Sequence, residues 1–117
     1  MLVKVYGIKN CNTMKKAFDF LQEKGVAFEF FDYKKQKPTA ELLQGFLEKT
    51  EISKLVNKQG TTFRKMSPAQ KEALENQKSA IPILIENSSM IKRPVIVYSD
   101  DSITLGFDPT EIASKIS

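Results

Sequence analysis

The first third of the chain admits few folds. Leu2, Val3, Val5 and Tyr6 form a short β-prone run closed by Gly7. Met14, Ala17, Phe18 and Leu21 then recur at the spacing that puts apolar side chains on one face of a helix, up to Gly25. A second β-prone run, Ala27-Phe28-Glu29-Phe30-Phe31-Asp32-Tyr33, follows at once. Strand, helix and strand with turns this short predict a βαβ unit, whose two strands should lie parallel and whose crossover should be right-handed.

The middle of the chain reads as helical. Thr39 stands where an N-cap belongs, before Leu42, Leu43, Phe46 and Leu47, and a shorter apolar patch follows at Ile52, Leu55 and Val56. Residues 57–65 read as a polar loop pivoting on Gly60. Ser67-Pro68-Ala69-Gln70 then combines an N-cap, a proline at the first helical position and a capping-box glutamine. Ser79 to Glu86 is ambiguous. Its β-branched run suits a strand, but Pro82 suits the first turn of a buried helix, and we read it as a helix.

Val95–Tyr98 and Ile103–Phe107 flank Ser99-Asp100-Asp101-Ser102, which predicts a β-hairpin. Asp108-Pro109-Thr110-Glu111 caps a last helix running to Ile116. The fold class is therefore α/β: a four-stranded mixed sheet with an all-helical insertion between strands 2 and 3. We expect a single domain over 1–117, made of an N-terminal βαβ (1–38), the insertion (39–91) and a C-terminal ββα (92–117). A length of 117 residues with 41% hydrophobic content supports one core.

Composition removes several classes of function. Histidine is absent, and with it go the commonest general base and the commonest metal ligand, so no metal site is expected. The net charge of +4 comes from scattered pairs such as Lys15-Lys16 and Lys34-Lys35, which read as a solvated surface and not as a nucleic-acid stripe. One cysteine cannot make an internal disulfide, which points to the reducing cytoplasm. No apolar run approaches the ~20 residues of a membrane span, nor the apolar stretch of a signal peptide. A monomer without direct nucleic-acid or membrane binding is the expectation.

Chemistry then converges on Cys11. It falls in the turn between the first strand and the first helix, where free backbone N–H groups and the positive end of the helix dipole favour thiolate over thiol. Its neighbours Lys9, Asn10, Asn12 and Thr13 are polar, which argues against a buried, inert cysteine. Met14 stands where the second thiol of a Cys-x-x-Cys pair would be, so any redox cycle needs an external thiol. Glutathione, an abundant cytosolic thiol, is the expected co-substrate, and no bound cofactor is expected.

The chain holds sixteen lysines and two arginines, Arg64 and Arg93, each at a loop boundary. Arginine in such places suits bidentate binding of a carboxylate or oxyanion. Ordinary surface arginines are the commoner occurrence, and spacing alone leaves both readings open. Arg93-Pro94 also admits a cis peptide bond.

Three segments together resemble a known family: Tyr6-Gly7-Ile8-Lys9-Asn10-Cys11-Asn12-Thr13-Met14-Lys15-Lys16-Ala17, the loop carrying Arg64, and Met90-Ile91-Lys92-Arg93-Pro94-Val95-Ile96-Val97. In order and spacing they are similar to the arsenate reductase (ArsC) family of thioredoxin-like, glutaredoxin-related proteins, which includes the YffB and Spx branches. The resemblance implies a nucleophilic Cys11 and a cis-proline at Pro94. It also implies an oxyanion- or glutathione-binding site drawn from Asn12, Thr13, Arg64, Arg93 and Pro94.

Arsenate-reducing members use three arginines, with glutathione and glutaredoxin as partners. Here Phe107 stands where the third arginine would be, with Asp108 beside it. Exchanging a cation for a carboxylate weakens a site for a dianion. The loop over 57–65 and the Gly106-Phe107 ending look closest to the YffB branch, which implies a glutathione-dependent thiol reductase acting on a disulfide or small oxyanion. The alternatives are a glutaredoxin-coupled arsenate reductase and an Spx-like regulator that binds RNA polymerase, here without a Cys-x-x-Cys redox switch.

Overall fold

The structure, a computed structural model, describes residues 2–117; Met1, part of the expected 1–117 domain, lies outside the described residues. The described chain forms two compact units. One holds the residues up to Gln36 and resumes with Arg93–Ser117, and the other is Lys37–Lys92.

The first unit is built on a four-stranded sheet. β1 (Leu2–Gly7), β2 (Ala27–Asp32), β3 (Val95–Val97) and β4 (Ile103–Leu105) lie in the order β2-β1-β3-β4. β1 pairs parallel with β2, Val5 opposite Phe30 and Gly7 opposite Asp32. On its other side it pairs antiparallel with β3, Val5 opposite Ile96 and Tyr6 opposite Val95. β3 and β4 form the expected antiparallel hairpin. Asp101 takes a positive φ in its turn, and Gly106, with φ of 76°, ends β4 earlier than the apolar run suggested.

α1 (Asn12–Glu23) buries Met14, Ala17 and Leu21, the face that its periodicity marked. Met14 and Leu21 join Val3, Val5, Ile96, Tyr98 and Ile112 in one core, with Ile112 coming from α7 (Pro109–Ile116). Phe18 stacks on Phe28 and meets Phe30 edge-on, which covers the β2 side of that core. Thr104, buried on the sheet, shares a 2.7 Å hydrogen bond with the Tyr98 hydroxyl. Burial pushes the Tyr33 phenol up and keeps it neutral.

The second unit is helical: α2 (Ala40–Leu47), α3 (Ile52–Leu55), α4 (Thr61–Arg64), α5 (Pro68–Ala73), α6 (Gln77–Glu86) and a 3-10 turn at Ser88–Met90. The capping box at Ser67 and Gln70 forms in both directions. Two expectations need correction. Residues 57–65 are not wholly loop, because Thr61–Arg64 winds into one helical turn, tied down by a 3.1 Å hydrogen bond between Thr62 and Ser89. The helix carrying Pro82 starts earlier than the apolar run, since Asn76 caps it by accepting from the Lys78 amide. Pro82 thus falls in its second turn, and it is exposed, where water can satisfy the carbonyl a proline leaves unpaired.

Because Ile96 is fully buried at the centre of the sheet and Leu2 is 56% exposed, the two positions should differ sharply. Ile96→Ala is expected to cost about 2–5 kcal/mol of unfolding free energy. Leu2→Ala should stay within about 0.5 kcal/mol. Urea denaturation of both variants measures the contrast.

Candidate active site at the end of the first strand

β1 ends at Gly7, and Ile8 to Asn10 lead into Cys11, the N-cap of α1. Cys11 has the extended backbone of a cap, with φ −147° and ψ 131°. Its carbonyl accepts the first helical hydrogen bond from the Lys15 amide at 3.0 Å, and its own N–H donates to Lys9 at 3.1 Å. The N–H groups of the following residues are therefore left pointing out of the helix end. The thiol is half-exposed and sits against the edge of the sheet core.

Five influences set its protonation. Partial burial is the largest, and it pushes the Cys11 pKa up. Against it act the Met14 N–H, a hydrogen bond donated by the Arg93 guanidinium, the Thr13 N–H and the charge of Arg93. Together these prevail and hold Cys11 below the ordinary thiol value. The side chain makes no full capping hydrogen bond. The amides favour the charged sulfur through proximity and orientation, as the free N–H groups at N2 and N3 of a helix do.

Arg93 reaches Cys11 because β3 runs beside β1. Tyr6 is paired with Val95, so the residues just before Val95 lie alongside the turn that follows Tyr6. The Arg93-Pro94 bond is cis, as the sequence allowed, and the Pro94 carbonyl accepts from the Gly106 amide at 2.9 Å. Arg93 is half-buried and Pro94 buried.

The remaining predicted residues divide. Thr13 contributes through its backbone N–H, and Asn12 is exposed and not among the groups acting on Cys11. Arg64 belongs to the second unit, where it is the exposed last residue of α4. Phe107, at the place of a third arginine, packs edge-on against Phe20 of α1 with ring centroids 5.9 Å apart. The adjacent Asp108 carboxylate caps α7, accepting from the amides of Thr110 and Glu111 at 3.1 and 3.2 Å. Sequence reading missed Met14 as a donor. The signal was its place at N3, three residues after the cap.

No group of His, Cys, Asp and Glu among the described residues is arranged to hold a metal ion, and no described helix is long and apolar enough to cross a membrane.

A family model described as the ArsC family matches residues 6–114. An uncharacterised protein of Haemophilus influenzae is 34% identical over 110 residues, which make up 94% of this chain and 95% of the relative. Among solved structures, the chain is similar to a protein named YFFB, with a TM-score of 0.90 and 38% identity over 98% of this chain and 99% of that one. It is also similar to an arsenate reductase related protein from Brucella melitensis, with a TM-score of 0.76 and 38% identity over 100% of this chain and 96% of that one.

The balance at Cys11 predicts a pH profile. Alkylation by iodoacetamide follows the thiolate, so the rate should rise and level off at lower pH than for an unperturbed thiol, whose pKa is about 8.5. Arg93→Gln removes a positive charge and a charged donor, both of which favour the thiolate, and should move the midpoint upward. With no histidine in the chain, no imidazole titration overlaps the measurement.

Proposed function

The chain belongs to the ArsC family and shares its thioredoxin-like fold, and from that premise we propose that it is a glutathione-dependent thiol reductase working through Cys11 alone. The observation that carries this reading is the sulfur itself, held toward thiolate by the Arg93 guanidinium and two helix N–H groups. A half-exposed thiolate beside a cation is built to attack an electrophilic sulfur.

For a glutathionylated thiol, the Cys11 thiolate attacks the glutathione sulfur. A mixed disulfide forms between Cys11 and glutathione, and the substrate leaves as its thiolate. No second cysteine exists to resolve that adduct. A second glutathione thiolate therefore attacks the glutathione sulfur of the adduct, forming oxidised glutathione and releasing the Cys11 thiolate. One reduced glutathione is consumed: its sulfur passes to the disulfide level as the substrate sulfur is released as thiolate, and the glutathione that came with the substrate forms the other half of the oxidised glutathione.

The Arg93 guanidinium is a planar, permanently charged fork, the shape that suits a carboxylate of the incoming glutathione. Arg64 enters as a further anion contact on the family resemblance alone. Arsenate is disfavoured as the substrate. The place of a third cation is taken by a packed phenyl ring, and the neighbouring carboxylate is already committed to capping a helix. Reactions of this kind belong to the reducing cytoplasm, which is where we propose the protein works, as a monomer.

Incubation with oxidised glutathione, followed by intact-mass measurement, should show one glutathione per chain. The adduct should vanish on adding reduced glutathione and never form on Cys11→Ser. An unmodified wild-type chain would rule the reading out. Given arsenate, glutathione and glutaredoxin, the wild type should release arsenite no faster than Cys11→Ser does, and Phe107→Arg is the variant in which a gain is expected.

A further inference from the structure

Gly7 is buried at the end of β1, and its φ is ordinary; the positive-φ glycines are Gly25 and Gly106. Backbone freedom is therefore not what this position uses. Space is. A Cβ placed on Gly7 would stand 2.5 Å from Met14 Sδ and 2.7 Å from Met14 Cε, far inside van der Waals contact, and 3.5 Å from Arg93 Cβ, an ordinary contact. The Met14 thioether thus fills the volume that any other residue at position 7 would claim, and Arg93 lies against the same spot.

We propose that Gly7 is a positioning residue for Cys11: its missing side chain admits the Met14 thioether, and this packing holds the first turn of α1 and the Arg93 stem in place around the sulfur. The proposal rests on the reading of Cys11 as the working thiolate and adds a residue that never touches substrate.

The physical argument runs through Met14. Its side chain has no solvent exposure and belongs to the sheet core. A thioether is flexible, and in open space it would swing away from an added methyl at little cost. In a close-packed core the swing has nowhere to go, and overpacking is relieved by small backbone shifts. Here the backbone most directly attached is that of Met14 and Thr13, whose N–H groups favour the Cys11 thiolate. Hydrogen bonds weaken steeply with misalignment, so a small displacement reaches the sulfur. Gly7 is also fixed from outside the turn, since its carbonyl accepts from the Tyr33 amide at 2.9 Å and its strand position faces Asp32. The methyl cannot retreat by moving β1.

The test is the pH dependence of Cys11 alkylation in the full chain for wild type, Gly7→Ala, Met14→Ala and the double variant Gly7→Ala/Met14→Ala. Thermal unfolding is followed alongside. Gly7→Ala is expected to move the midpoint upward and slow alkylation at pH 7 by about threefold or more, as a smaller thiolate fraction requires. The double variant removes the atoms that the methyl meets, so Gly7→Ala should move the midpoint far less in the Met14→Ala background than in the wild type. A purely structural role would lower the unfolding temperature without moving the midpoint.

A folded Gly7→Ala with the wild-type midpoint overturns the proposal, and so does a shift as large in the Met14→Ala background as in the wild type. If Gly7→Ala alone does not fold, the double variant decides. Recovery of folding with the midpoint of Met14→Ala supports the proposal, and failure to fold, or a midpoint displaced from that of Met14→Ala, refutes it. A wild-type midpoint no lower than that of a free thiol would instead remove the thiolate reading on which the proposal stands.

Discussion

β1 is the strand of the sheet with a parallel partner, β2, along one edge and an antiparallel partner, β3, along the other, and everything of chemical interest hangs from its C-terminal end. Val3 and Val5 anchor it in the core with no exposure at all. The turn that follows carries Cys11 into the first helix, while the antiparallel neighbour delivers Arg93 to the same end. The antiparallel register between β1 and β3 is what brings groups far apart in sequence to one end of the sheet.

The electrostatics at that meeting point are a contest of local terms. Taking sulfur partly out of water opposes its charge, and two amides with one guanidinium overcome that opposition. The overall charge of +4 matters little beside a donor in contact, because exposed lysines are screened within about a Debye length. The same local logic sets the site apart from one for a doubly charged oxyanion. A single packed cation is enough to stabilise a thiolate and one carboxylate. On the proposed reading a dianion is the poorer match, because Phe107, at the place that the family resemblance gives to a third arginine, is an uncharged ring packed against Phe20.

The strands and main helices were legible because burial writes itself into sequence as a period. α1 shows this directly: Met14, Ala17 and Leu21 sit three and four residues apart and are all buried. Caps were legible too, as at Ser67 with Gln70 and at Asp108 before Pro109. What escaped was whatever depends on a contact between distant residues. The single turn at Thr61–Arg64 is held by Ser89, which no local pattern in Gly60-Thr61-Thr62-Phe63 could disclose. Pro82 was assigned to a first turn because the apolar run starts near it, whereas the true start was set by the Asn76 side chain. At the active site, Cys11 and Arg93 stood out as rare residue types. Met14 looked like a plain core residue, because a donor that acts through its backbone leaves no mark on the side chain that encodes it. Gly7 read only as the close of a strand, since a steric vacancy is visible only when its neighbour is known.

The interruption of the first unit has a consequence for how the protein is made. Synthesis proceeds from the N-terminus, so β1, Cys11, α1 and β2 emerge first, and the whole of Lys37–Lys92 must follow before Arg93 exists. Until β3 docks on β1, the nascent cysteine has its helix amides at most and no guanidinium. The arginine's share of that balance thus arrives only as the last fifth or so of the polypeptide folds back, and a half-made chain presents a thiol closer to the ordinary one than the finished molecule does.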